Sequence, residues 1–451
     1  MAIGTWVSQN KVRPGVYINY VFSEAELVNY ASNGVLALNY TLPLNPEGVV
    51  EITSADIKNK GLQKYGIMAG TDAYKYITTL LKYSSKLVLY SPKMSNSSKA
   101  KLTVKDEFNA TAKYPGVEGN KLAVEVIGTA GEKQTFNTYY NNELVAIQTL
   151  DAETMTVVGV NDYVDIEIVG DTVTATVPTL LTGGVDGTID KNQLSSAYLD
   201  VLKTKEVEVI AINLNEADYD FSIFEDFVNE YNANHVQKVV VVYPKTDNAS
   251  ASKNSEFVIA IAAQTATLQN GLAMDAGMIA GYIGAKEAGA DYTKDLTFDL
   301  CDDIASISEL GNDEIEENIK RGIMNLSYRS DRSVVIEDDI NSLVLLSENQ
   351  SSALKSNDTL RLLNDLSYRI VSYGENVVIG KKKVTETTLN VVKAFVIGIM
   401  NQYAEEQVII NFDSNKDVQV VFGEQPDGIL CTIAIQKTNS AKKLYFSIGV
   451  R

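Results

Sequence analysis

The stretch Gly428–Arg451, GILCTIAIQKTNSAKKLYFSIGVR, decides how this chain reads. Every second residue is apolar in Ile429, Cys431, Ile433 and Ile435, and again in Leu444, Phe446, Ile448 and Val450. That two-residue period marks strands with one buried face. Between the runs, Lys437 to Lys443 supplies the turn residues Thr438, Asn439 and Ser440. With the last strand ending at Arg451, the expectation is that nothing returns to cover its edge. Such a strand docks in its own body or adds to the open sheet edge of a neighbouring molecule, where unpaired N–H and C=O groups form a template.

The other end of the chain favours the second outcome. Val12, Val16, Ile18 and Tyr20 form another alternating run, and within it Arg13-Pro14-Gly15 favours an extended approach and a bend. Both ends are basic: residues 1–23 carry +2 and residues 428–451 carry +4, with no acid in either. The whole chain carries −19, which leaves −25 on residues 24–427. Acidic bodies repel at long range while basic arms are drawn to them, an arrangement suited to head-to-tail linkage.

A chain of 451 residues, 45% of them hydrophobic, is expected to form two to four domains with sizeable cores, at roughly 100–200 residues each. A pI near 4.6 argues against broad nucleic-acid contact, which needs clustered cations. Lys381, Lys382 and Lys383 are the exception and read as a solvated loop. Cys301 and Cys431 are too few for a disulfide framework and fit folding in a reducing cytosol. No secretory signal is visible in residues 1–16. The apolar stretch Phe257 to Ala285 is interrupted by Gln264, Gln269, Asn270 and Asp275, which argues against membrane insertion.

Taken in order, the chain predicts an α/β core, an inserted small all-β domain, a C-terminal α+β domain and extended terminal strand arms. Residues 1–22 are the N-terminal arm. Residues 23–94 open the α/β core, with strands at Gly34–Thr41, Glu51–Ile52 and Lys86–Ser91 and a helix at Tyr74–Tyr83. From 95 to 188 the short alternating runs Leu122–Ile127, Thr135–Tyr140, Glu143–Thr149, Thr154–Val158, Asp165–Val169 and Thr172–Val177 predict the β-rich insertion. Gly183, Gly184 and Gly187 read as a hinge at its far border.

Residues 189–345 resume the core. Val207–Leu214 and Lys238–Tyr243 are continuous apolar runs suited to buried parallel strands, joined by a helix at Phe221–Tyr231. A long helix is expected over Ser255–Glu287, a strand over Asp295–Leu300, a helix start at Glu314–Arg321 and extended chain over Arg332–Asp339. Residues 346–427 hold helices at Asp358–Tyr373 and Thr385–Tyr403 and strands at Gln407–Phe412 and Asp417–Phe422. Residues 428–451 are the C-terminal strands and arm.

Catalytic signals are sparse. The single histidine, His235, follows a helix and precedes a strand, which suits a surface cap better than a general base. One histidine and two distant cysteines, without HExxH or paired CxxC, assemble no transition-metal site. Asp302-Asp303 and Glu337-Asp338-Asp339 have the chemistry for a hard cation but read as solvated faces of an acidic protein. Gly277, Gly281 and Gly284 suit close helix packing rather than a phosphate loop. No catalytic, cofactor-binding or metal residue is assigned.

Several segments carry a family resemblance. Tyr114-Pro115-Gly116-Val117-Glu118-Gly119-Asn120, followed by Lys121–Ile127, resembles a proline-glycine to glycine-asparagine segment of contractile tail sheath proteins. Leu181 to Thr188 resembles their exit from an inserted domain, Ala276 to Gly281 their core helix, and Ile336 to Leu343 their extended segment before the C-terminal domain. Asn357–Leu366, Ile379-Gly380-Lys381 and Lys443 to Val450 complete the match in order across the chain. Ser342 stands where the threonine of an Asn-Thr-Leu run is expected.

The resemblance implies a structural subunit, not an enzyme, that stacks with its copies as a helical polymer around an inner tail tube. Val12, Val16, Ile18, Tyr20, Leu444, Phe446, Ile448 and Val450 would then join neighbouring copies by strand exchange, and contraction would proceed without nucleotide. Lys381, Lys382 and Lys383 would face the tube. Baseplate and tail terminator proteins would be further partners. The particle would assemble in a bacterial host's cytoplasm, as a virion tail or a released contractile particle. A surface-layer protein is the nearer alternative, an α/β ligand-binding protein or enzyme the more distant one.

Overall fold

The structure is a computed structural model that describes residues 2–4, 15–17, 34–44, 46–58, 61–189, 198–200, 202–203, 205–213, 221–235, 237–245, 253–348 and 350–448. It is a mixed α/β fold built on a seven-stranded sheet. The strands run side by side in the order Ile323–Met324, Val258–Ile261, Val240–Pro244, Val209–Ala211, Val35–Asn39, Lys86–Ser91 and Gly48–Thr53. All neighbours are parallel except the last, which is antiparallel at the edge.

The continuous apolar runs exist because both faces of this sheet are covered. Leu36, Leu38, Leu87, Leu89, Val209, Ala211 and Val242 pack towards helices Asp72–Leu80 and Ala276–Gly289. The alternate residues Ala37, Val88, Ile210, Val241 and Tyr243 pack towards helix Phe221–Asn234. Ala276–Gly289 starts at a side-chain cap, where Asp275 accepts from Met278 N. Its glycines permit the close approach expected of them: a Cβ on Gly281 would stand 2.0 Å from the Tyr76 hydroxyl.

Four expectations are corrected. Ser255–Glu287 is not one helix: it holds strands Val258–Ile261, Ala266–Leu268 and Ala273–Met274 before the helix begins at Ala276. A short buried apolar run does not distinguish strand from helix, and here the sheet decides. Asp295–Leu300 forms no strand, because its carboxylates turn the chain; Asp295 accepts from Thr297 N at 2.8 Å. Gln407–Phe412 contributes only a bridge from Ile409 to Lys437. Thr172–Val177 is extended without joining a ladder, although Val173 is buried and Thr176 N donates to Val126 O at 3.0 Å.

Beyond Ser91, Met94–Ser95 pairs antiparallel with Thr188–Ile189. The intervening chain forms a five-stranded and a three-stranded sheet around Phe108, Leu122, Val124, Phe136, Leu150 and Val164. Phe108 and Phe136 meet edge to face with centroids 5.1 Å apart. Strands Lys99–Val104 and Phe108–Pro115 supply most of the smaller sheet.

The C-terminal part packs helices Asn357–Tyr373 and Glu386–Glu405 against the hairpin Val418–Phe422 and Ile429–Ile433. Ile429–Ile433 therefore pairs within its own chain. The residues after it form no second strand among the described residues.

Candidate assembly site at the C-terminal arm

From Ala434 the chain runs back across its own body as a strap. Ala434 N donates to Asp417 O at 2.8 Å, and Thr438 N to Val408 O at 2.8 Å. Lys437 pairs with Asp358 in the first turn of helix Asn357–Tyr373, both side chains nearly buried. Lys442 pairs with Asp338. Burial works against the Lys442 ammonium, but its hydrogen bond to Asp338 and the charges of Asp338, Asp295 and Asp339 hold its pKa above the ordinary value.

The strap sits over a buried polar joint. Arg361 donates to Glu287 Oε2 at 2.6 Å, at the end of the core helix, and to Asp339 Oδ2 at 2.5 Å. Asp339 also accepts from Asn357 Nδ2 at 2.8 Å and Leu296 N at 3.0 Å. Burial pushes the Glu287 carboxyl up, against the pull of Arg361. Glu337-Asp338-Asp339 is thus no solvated acidic face. Asp339 is 0% exposed, Asp338 holds the strap, and Glu337 accepts from Ser327. Similarly, Asp303 receives Lys82 at 2.5 Å and the Tyr83 hydroxyl at 2.7 Å. Sequence reasoning missed this joint because 287, 339 and 361 share no local pattern.

Past the strap the chain loses its partners. Leu444, Tyr445, Phe446 and Ile448 are 75%, 89%, 84% and 87% exposed. Four large apolar or aromatic side chains within five residues in solvent are unusual for a folded body, and here they lie along a backbone that joins no ladder. The hairpin beside the arm root pairs with no third strand among the described residues, and Val421, Phe422 and Leu430 are exposed.

The other assigned residues fall as follows. Val12, Ile18, Tyr20 and Val450 lie outside the described residues, as does the side chain of Val16. The backbone of Val16 lies in Gly15–Tyr17, which pairs parallel with Ala2–Gly4. Lys381, Lys382 and Lys383 are exposed at the tip between the two C-terminal helices, after a π-helical turn at Gly374–Val378. The glycine-rich border is more tightly packed than a free hinge. Gly183 sits in open space, but a Cβ on Gly184 or Gly187 would come within 2.3 Å of Gly116 O or Ser95 O. Asn120 clasps Gly184 in both directions, at 2.8 and 2.9 Å.

His235 is exposed, stacks on Tyr231 at 3.8 Å and places Nδ1 2.9 Å from Tyr231 O, closing the helix. At the carboxyl ends of the two central strands, where open α/β sheets hold ligands, Asn39 Oδ1 accepts from Asn213 N at 2.8 Å and Asn39 Nδ2 donates to Asn213 O at 3.3 Å. Among the described residues no group of three or more His, Cys, Asp or Glu is placed to hold a metal, and no helix is long and apolar enough to cross a membrane.

The fold is similar to that of contractile tail sheath proteins, and the resemblance read from the sequence is borne out. Residues 349–451 match the phage tail sheath C-terminal domain family. The phage-like element PBSX protein XkdK of Bacillus subtilis (strain 168) is 25% identical, covering 99% of both chains. The crystal structure of a sheath tail protein from Desulfitobacterium hafniense superposes with a TM-score of 0.75 at 22% identity, covering 94% of this chain and 100% of that one. The helical sheath of the anti-feeding prophage in its contracted state gives a TM-score of 0.55 at 11% identity, covering 97% and 99%.

Proposed function

We propose that this chain is a tail sheath subunit that polymerises around an inner tube by exchanging terminal strands and contracts to drive the tube through a target envelope. The observation that carries the reading is the exposed arm Leu444–Ile448 leaving a firmly strapped root beside a two-stranded hairpin. Docked on a neighbour's sheet edge, a short strand gains about 0.5–1.5 kcal/mol per backbone hydrogen bond. Repeated over several neighbours, this links bodies that still rotate and slide. The proteins it resembles are structural, and no chemistry is assigned to this one.

In this reading residues 1–22 and the end of 428–451 are arms, 23–94 with 189–345 the core, 95–188 an outward-facing insertion, and 346–427 the tube-facing domain. Lys381, Lys382 and Lys383 contact an acidic tube surface, so reversing their charge abolishes docking on tubes. Baseplate and terminator proteins cap the polymer's ends in a virion tail or a released particle. Deleting residues 1–20, or ending the chain after Lys443, leaves a folded monomer that forms no tubes under electron microscopy. Long tubes from either truncation contradict strand exchange.

A further inference from the structure

We propose that the outer face of the insertion's three-stranded sheet binds a second copy of this chain, the basic edge of one meeting the acidic edge of the next. Val164–Ile168, Phe108–Pro115 and Lys99–Val104 lie side by side in that order. Their register aligns Asp165, Thr111 and Lys101 in one cross-strand row, and Glu167, Asn109 and Thr103 in the next. The alternate residues Ala100, Phe108, Ala110, Ala112 and Val164 are buried in the core, so these rows point outward.

The face is graded in charge. Lys99 and Lys101 are exposed on one outer strand, Asp165 and Glu167 on the other. Lys113 on the middle strand comes only to 3.9 Å from Asp165. Among the described residues Lys99, Lys101 and Glu167 form no ion pair. Along one edge a polyanion or anionic lipid surface would be repelled, and along the other a basic partner. A copy displaced sideways satisfies both edges and presents the same pair of edges again. The contact is made through side chains rather than strand addition, because the basic edge is already occupied. Lys101 N donates to Thr182 O at 2.8 Å and Thr182 N to Lys101 O at 2.9 Å.

The inference rests on the reading of this chain as a polymer subunit, and the test separates the two. Full-length tubes mixed from isotopically light and heavy chains are treated with a zero-length carbodiimide cross-linker and analysed by mass spectrometry. Within one copy Lys101 and Asp165 are two strands apart, about 10 Å between backbones, which the two side chains can span, so only the light–heavy product reports a contact between copies. The expected product is a light–heavy cross-link joining Lys99 or Lys101 to Asp165 or Glu167. It is lost in Lys99→Glu/Lys101→Glu and in Asp165→Lys/Glu167→Lys, and regained when all four substitutions are combined. All positions are exposed, so thermal unfolding of the monomer stays unchanged. Tubes that form without this cross-link, or a fourfold variant that does not recover it, overturn the contact alone. A wild-type chain that forms no tubes overturns the subunit reading and this contact with it.

Discussion

Arg361 joins the end of the core helix to the segment that receives the strap. Replacing it by Met leaves Glu287 and Asp339 as buried charges without their cation. Breaking such a pair costs about 3–5 kcal/mol. The pH dependence follows from Glu287, whose folded pKa lies above its ordinary value. A raised carboxyl favours the folded state at low pH, and that contribution is lost as pH rises through the folded value. Without Arg361 the carboxyl rises further, so the deficit of Arg361→Met is greatest at neutral pH and shrinks towards the ordinary carboxyl range. Denaturant midpoints across pH measure this; a deficit independent of pH contradicts it. Gly281 is a second sensitive position. Gly281→Ala pushes a methyl into Tyr76, which is 0% exposed and donates to Met278 O at 2.9 Å. Overpacking of this kind costs about 1–3 kcal/mol, read as a lowered thermal midpoint that Tyr76→Phe partly restores.

The elements show where sequence is informative. Lys86–Ser91 and Leu122–Ile127 are legible to the residue because each combines β-branched or long apolar side chains with clear punctuation on both sides. Lys99–Val104 and Phe108–Pro115 are less legible: their inward positions include Ala100, Ala110 and Ala112, too small to make the alternation stand out. Val258–Ile261 was hidden for the opposite reason, since its alanine-rich surroundings favour helix until the parallel sheet overrides propensity. The arm's alternation at Leu444, Phe446 and Ile448 was plain, but the strap before it was not. Lys437 and Lys442 lie either side of the expected turn residues Thr438, Asn439 and Ser440, and only the fold brings Asp358 and Asp338 beneath them. Leu444→Asp/Phe446→Asp melts where the parent does, since both positions are exposed, but sediments as a monomer under conditions where the parent forms tubes. An unchanged polymer yield contradicts it.

The whole molecule is a strongly acidic body with basic ends. In the proposed polymer, bodies of like charge would separate readily once direct contacts between them loosen, while arms paired through backbone would hold their places. A sheath that changes length without falling apart needs both properties. The most direct measurement is a cryo-EM map of assembled tubes at side-chain resolution. The account predicts continuous density for residues 444–450 leaving one body and hydrogen-bonded along the Val418–Phe422 or Ile429–Ile433 edge of another. Density that folds those residues back onto their own body in every copy contradicts it.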